Sequence, residues 1–414
     1  MTHEGAGGVR DGQVSAPAVH GRRQVTGAAS WDSARRVAHL VARVGAGVSV
    51  GLQDAVGCVL AGPLVATAPV PPVDRAAMDG YAVCGVGPWR VVGEVGVASP
   101  SVRGLVDGEA YGITTGAAVP AGATGVVREE DVLRDGEWVR GSVVVGRHIR
   151  RAGEECRAGE VVLPTGVVVD GPVVGLAASL GLSRLVVVPR PVVDVLVTGD
   201  ELVQRGSSGV GRVRDAIGPM MPELVTRAGA ELGVVQQLAD SRAALREAIA
   251  GSSAQVVFVS GSSAAGPADH LRPVLNELAA ELLVDGVACR PGHPQALARL
   301  QDDRLVIGLP GNPFAALTAF LTLGVAAITG RRGLPLARLP IAPIPGGIDC
   351  HPHSTRLVPV RVTDQGAVPV GHAGSAMLRG AAAADALAVV DPGPAQAIAA
   401  RLLPLDPGAR PWAG

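Results

Sequence analysis

A multidomain α/β protein built on a mostly parallel, doubly wound sheet is what this sequence predicts, and three observations carry the prediction. Between residues 191 and 330, short β-branched runs alternate with helix-spaced apolar segments, the pattern of parallel strands joined by crossover helices. Three of these runs end in polar or turn-forming stretches: TGDEL (198–202), SGSSAAGPAD (260–269) and LPGNP (309–313). Ligands of open parallel sheets bind beyond such carboxyl ends. The length, 414 residues, is too great for one simple core.

Taken in order, residues 1–30 contain Gly, Ser and Arg but no apolar core of a signal peptide, and read as a flexible tail. A helix is expected from Trp31, with Ala34, Val37, Ala38, Leu40 and Val41 as its apolar face. A second helix is expected in GLQDAVGCVLAGPLVA (51–66), stopped near Gly62 and Pro63. The segment APVPPVD must be extended, because proline removes donors and restricts its neighbours. From Ala76 to about Val145, Val-rich runs separated by glycines predict a small β domain. Helical spacing returns at 166–180, followed by a strand at 185–188. Residues 31–70 and 146–188 therefore read as one discontinuous helical linker domain around an inserted β domain (71–145).

The α/β domain (189–332) is expected to place strands at 192–197, 234–238, 255–260 and 304–309, with helices near 219–232, 241–250, 267–283 and 313–328. Beyond it, a Pro-rich linker leads to a small C-terminal β domain (333–414) with strands in TRLVPVRV, AVPV, ALAVV and RLLPL and a helix in AMLRGAAAADAL.

Composition narrows the function. Hydrophobic residues make up 48% and aromatics 2%, so the core is Val, Leu and Ala. The formal net charge of −1 gives no general attraction to nucleic acid or a membrane surface. Any anion site must be local. All the fixed positive charge is arginine, because the chain contains no lysine. Five scattered cysteines without a C-x-x-C pair argue against a disulfide framework or a cysteine zinc site. The longest apolar run, 314–328, is short for a bilayer span and follows a strand and turn, so a buried helix and a cytoplasmic protein are expected.

Several residues carry chemistry. Asp200 and Glu201 follow an apolar strand, where paired carboxylates can hold a hard cation such as Mg²⁺, cap a helix or simply face water. The run 256–269 joins a strand to a helix through a Ser/Gly turn, the arrangement that seats an anion on backbone N–H groups; an ordinary βα turn has the same pattern. Asp269 could cap that helix or face the pocket. CRPGHP (289–294) sets Arg290 and His293 around a tight turn suited to a tetrahedral oxyanion, or to nothing beyond solvent.

PPVDRAAMDGYAV (71–83), ITTGAAVPAGATGVV (113–127), IRRAGEE (149–155), LVTGDELV (196–203), VSGSSAAGPAD (259–269), RPGHP (290–294), GLPGNP (308–313) and SAMLRG (375–380) occur in this order. As a set they resemble the molybdopterin molybdenumtransferase family, the molybdenum insertases related to the gephyrin E domain, over nearly everything after residue 31. The resemblance implies an elongated four-part homodimer with its active site between subunits. It implies adenylylated molybdopterin and molybdate as substrates, Mg²⁺ as cofactor, and insertion of molybdate with loss of AMP. By motif position, Asp79, Thr115, Arg290 and His293 would be catalytic, and Asp200 and Glu201 would serve the metal. The substrate would meet Asp240, Ser260, Gly261, Ser262, Ser263, Asp269, Pro291, Gly292, Pro310, Gly311 and Asn312, with Ser375 reaching in from the C-terminal domain. The family's lysines are here Arg290 and His293, Ser262 replaces a glycine, Ile217 an asparagine and Glu155 an aspartate. A non-catalytic pterin-binding or scaffolding paralogue of the same fold is the alternative.

Overall fold

The structure, a computed structural model, describes residues 27–99, 101–261 and 269–408. The tail expected at 1–30 lies outside the described residues up to position 26, as do Ser262 and Ser263.

The α/β domain holds β1 (Val192–Thr198), β2 (Glu231–Leu238), β3 (Val256–Ser260), β4 (Glu281–Asp285), β5 (Ala296–Arg299) and β6 (Leu305–Leu309), in spatial order 2-1-3-6-5-4. Strands 2, 1, 3 and 6 run parallel. Every residue of β3 and β6 is buried, as their unbroken apolar runs require of strands covered on both faces. The other edge departs from expectation: β5 pairs antiparallel with both β6 and β4. Two helices are correspondingly shorter than their apolar spacing suggests. Ile217–Arg227 ends before β2 begins, and Leu271–Glu277 gives way to β4. In both cases the apolar residues past the helix end are strand residues, which a helical period accommodates equally well.

The apolar stretch after β6 forms one continuous helical run, Pro313–Arg331, including a π-helical turn at Phe320–Gly324. It is 19 residues long with mean hydropathy 1.7, yet 83% of its most apolar window is buried within the fold. Helix Trp31–Leu40 covers its outer side: Trp31 Nε1 donates to Thr322 Oγ1 at 3.0 Å, and Trp31, Ala34 and Ala38 join the largest apolar core. This helix therefore packs on the α/β core and not on the linker domain to which its sequence position assigned it. Leu40, expected on the apolar face, is 71% exposed.

The segment 51–66 is not a helix. It is turns followed by short strands, Val59–Leu60 and Leu64–Val65, which pair with Arg184–Val188 and Val161–Leu163. Gly57, Gly62 and Pro63 break the helical option, and pairing partners more than 90 residues away decide the outcome. The expected helix at 166–180 spans Gly171–Ser179, with Asp170 Oδ1 accepting from Val173 N.

The inserted β domain is a six-stranded sheet in which Gly80–Val83 lies between Gly125–Arg128 and Glu109–Ile113. The C-terminal domain contributes five strands to a third six-stranded sheet, whose sixth strand is Cys289–Arg290. Its outer strand, Ile341–Asp349, falls in the stretch read from sequence as a Pro-rich linker. Pro343 and Pro345 are tolerated there because an edge strand need not donate on its open side.

Candidate active site

The chain leaves β1 for β2 on one side and returns to β3 on the other. That reversal of strand order opens a crevice beyond their carboxyl ends. Gly261 follows β3 with φ +87°, and a Cβ there would stand 2.5 Å from the Thr198 carbonyl oxygen. Thr198 Oγ1 donates to the Ser260 carbonyl at 2.8 Å, tying the two strand ends together. Only glycine lets the backbone turn so tightly at this point.

These ends form the floor of a cleft of about 1100 Å³. Glu201, Ser260 and Gly261 line the floor, Pro310, Gly311 and Asn312 one side, and Arg290, Pro291, Gly292 and His293 another. The C-terminal domain closes the cleft with Ser354, Arg356 and Ser375. Two connections bring it there. Cys289–Arg290 pairs parallel with Thr355–Thr363, setting Arg290 directly beside Arg356. Ser375 accepts at its carbonyl from Ala315 N (3.0 Å) and at Oγ from Asn312 Nδ2 (3.2 Å).

The cleft carries local positive charge in a chain whose net charge is near zero. Arg214, Arg290, Arg356 and His293 line it, facing Glu201 and the buried Asp215. Asp215 is already engaged: Oδ1 accepts from Ile217 N and Gly218 N at 2.9 and 3.0 Å, capping the helix that Ile217 opens. His351, half-buried outside the cleft lining, is held below the usual imidazole range by desolvation and then by the positive charges of Arg290, His353 and Arg356. His293 Nδ1 lies 2.8 Å from the Val287 carbonyl. A carbonyl only accepts, so Nδ1 carries the proton and Nε2 is the atom left for a ligand. Nε2 donates only when the ring is an imidazolium.

Other residues singled out from sequence lie elsewhere. Asp200 and Asp240 face each other across the ends of β1 and β2, each accepting from the other's backbone N–H at 3.2–3.4 Å. Asp269 caps the helix behind β3 through Leu271 N and is paired with Arg272 at 2.5 Å. It serves the helix and not the cleft wall. Asp79 Oδ1 accepts from Thr115 N at 2.6 Å. Their strands are antiparallel neighbours with Gly80 opposite Ile113, so register alone brings them together. Both are exposed and neither lines the cleft of its own chain.

Among the described residues, no group of three His, Cys, Asp or Glu side chains is arranged to hold a metal by itself. Glu201 offers one hard carboxylate at the cleft floor, and its neighbour Asp200 lies outside the lining, so a cation such as Mg²⁺ would need water and phosphate to complete its shell.

Arg214, Ser354 and Arg356 were missed in the sequence. Arg356 sits in a strand that is legible as TRLVPVRV, but nothing local signals its parallel pairing with Arg290. That contact exists only once two domains have docked.

Three family descriptions match the chain in succession: MoeA N-terminal region (domain I and II) over residues 29–181, probable molybdopterin binding domain over 194–330, and MoeA C-terminal region (domain IV) over 342–400. A molybdopterin molybdenumtransferase from Staphylococcus aureus is 30% identical over 290 residues, covering 66% of this chain and 68% of that protein. Its counterpart from Staphylococcus epidermidis is 28% identical over 288 residues, with the same coverage of 66% and 68%. In fold, a molybdopterin biosynthesis MoeA protein from Pyrococcus horikoshii OT3 superposes with TM-score 0.75 at 22% identity, covering 91% of this chain and 99% of its own. A molybdenum cofactor biosynthesis protein from Pyrococcus furiosus gives TM-score 0.55 at 16% identity, with coverage of 90% and 96%.

Proposed function

Because the chain belongs to the molybdopterin molybdenumtransferase family of molybdenum cofactor biosynthesis, we propose that it inserts molybdate into adenylylated molybdopterin with release of AMP. The observation that carries this reading is one cleft in which a Ser/Gly strand end and an arginine-lined turn converge. The first suits a nucleotide phosphate and the second a tetrahedral oxyanion. The adenylylated pterin lies over Ser260 and Gly261, where a side chain at Gly261 would push the backbone away from it. Arg290 and Arg356, adjacent in register, present two guanidinium forks to molybdate. His293 adds a donor from Nε2 when its ring is charged, and turns the Nε2 lone pair toward the anion when it is not.

Mg²⁺, held by Glu201 and Asp200 together with phosphate oxygens, would supply positive charge to the departing phosphate. Asp79 and Thr115 lie outside the cleft of their own chain, and we infer that a second copy brings them to it, making the working unit a homodimer. The protein is assigned to the cytoplasm.

The test is direct. Purified protein with Mg²⁺, adenylylated molybdopterin and molybdate should release AMP and yield cofactor able to activate an apo-molybdoenzyme. Retained pterin binding without AMP release would replace this reading with that of a non-catalytic pterin-binding paralogue.

A further inference from the structure

The turn that carries Arg290 and His293 is held from beneath by a buried amide. Gln295 is fully buried, and its Nε2 donates to the Gly292 carbonyl at 2.7 Å and to Cys289 Sγ at 3.4 Å. Cys289, also fully buried, lies with Sγ 3.4 Å from the Pro291 carbonyl. Burial pushes the Cys289 thiol up to about 12, so it stays protonated and donates to that carbonyl. Gln295 thus controls two consecutive carbonyls, one directly and one through a thiol. The assignment of its amide is unambiguous, because the opposite orientation would aim an oxygen at a carbonyl. Thr318 Oγ1 lies 3.3 Å from Pro291 O but 2.8 Å from Ala315 O. Its single proton goes to the nearer one. Gln295 Oε1 has no partner among the described residues.

Peptide planarity converts these contacts into a statement about the cleft. In a trans peptide the C=O and the next N–H point in opposite directions. Neither peptide bond that follows these carbonyls is among the cis bonds of the described residues. With the Pro291 and Gly292 carbonyls drawn into the core, the N–H groups of Gly292 and His293 are turned the other way, toward the cleft that both residues line. Among the described residues, neither N–H meets a backbone or side-chain acceptor. Gly292 allows the arrangement: its φ is +100°, and a Cβ would fall 2.6 Å from Thr318 Oγ1.

We propose that Gln295 is a positioning residue for oxyanion capture, holding the turn so that the Gly292 and His293 backbone N–H groups face the bound anion. The proposal rests on the reading of this cleft as an oxyanion site. It adds donors that need no lysine and do not titrate. Two successive N–H groups in such a concavity bind anions through fixed dipoles.

The experiment uses the full chain, titrated calorimetrically with sodium molybdate and separately with sodium sulfate. It compares wild type with Gln295→Leu, Cys289→Ala and Cys289→Ser, and follows thermal unfolding of each. Gln295→Leu should stay folded with a lowered unfolding midpoint, bind molybdate about tenfold more weakly and bind the pterin nucleotide as wild type does. Cys289→Ala should weaken binding less, and Cys289→Ser, which keeps a donor and an acceptor, should restore it. The Gly292 amide resonance should move on anion addition in wild type and stay in place in Gln295→Leu. A folded Gln295→Leu with wild-type anion affinity overturns the proposal, as does an unmoved Gly292 resonance in wild type. Should Gln295→Leu fail to fold, equal affinities for Cys289→Ala and Cys289→Ser overturn it. Sulfate binding weakened by the variants, without molybdate binding, upholds the positioning role and refutes the insertase reading. Absence of both anions refutes both.

Discussion

At the cleft, residues from three strand ends of one sheet meet residues from a domain that begins some 30 positions later, and the contact depends on docking. At the Asp79–Thr115 corner, two neighbours in one sheet meet through register alone, with solvent on the other side. The cleft is concave, about 1100 Å³ in volume, and lined by Arg214, Arg290 and Arg356 of one chain. The corner is an exposed carboxylate outside the cleft of its own chain. The two are separate places in one chain, binding being proposed for the first and chemistry for the second.

This contrast can be broken in several places. The largest effect is expected from Gly261→Ala, which forces a Cβ toward the Thr198 carbonyl at a left-handed position. Such strain costs about 1–3 kcal/mol, enough to weaken pterin nucleotide binding roughly tenfold to a hundredfold, measured by fluorescence titration. Asp79→Ala should instead abolish most AMP release while leaving pterin and molybdate affinities at wild-type levels. Weakened binding in that variant would join corner and cleft into one binding site. His293→Lys replaces an imidazole with an ammonium that carries a fixed charge. Molybdate affinity should rise a few-fold at pH 8. An unchanged affinity at pH 8 removes His293 from the oxyanion site.

The smallest effect is a titration. His351 is held below the usual imidazole range in part by Arg290 and Arg356. An anion neutralising those arginines should move its titration upward, because the coupling is reciprocal. Nuclear magnetic resonance of the ring protons, with and without molybdate, reads this shift. No movement would place the anion away from the two arginines.

The sequence made the parallel core legible because buried strands such as VVFVS and LVIGL have no polar interruptions and end in turn chemistry. It misled where a period is ambiguous. Apolar residues of β4 continue the helical spacing of Leu271–Glu277, and residues 51–66 fit a helix until distant strands pair with them. Prolines hid the edge strand Ile341–Asp349, since their prohibition applies to interior strands. The site divides the same way. Motif residues at strand ends, Glu201, Ser260, Gly261 and Asn312, line the cleft. Arg356 and the Gln295–Cys289 support could not be read, because each acts through a contact that folding creates.

The proposed sharing of one active site between two chains is tested most directly by mixing subunits. Asp79→Ala and Arg290→Ala chains, each inactive alone, are co-refolded in equal amounts and assayed for AMP release. In a two-fold dimer, half the molecules are mixed and each mixed dimer holds one intact site, so about a quarter of wild-type activity should return. If each site were built within one chain, the mixture would stay as inactive as its components, and the shared active site would be contradicted.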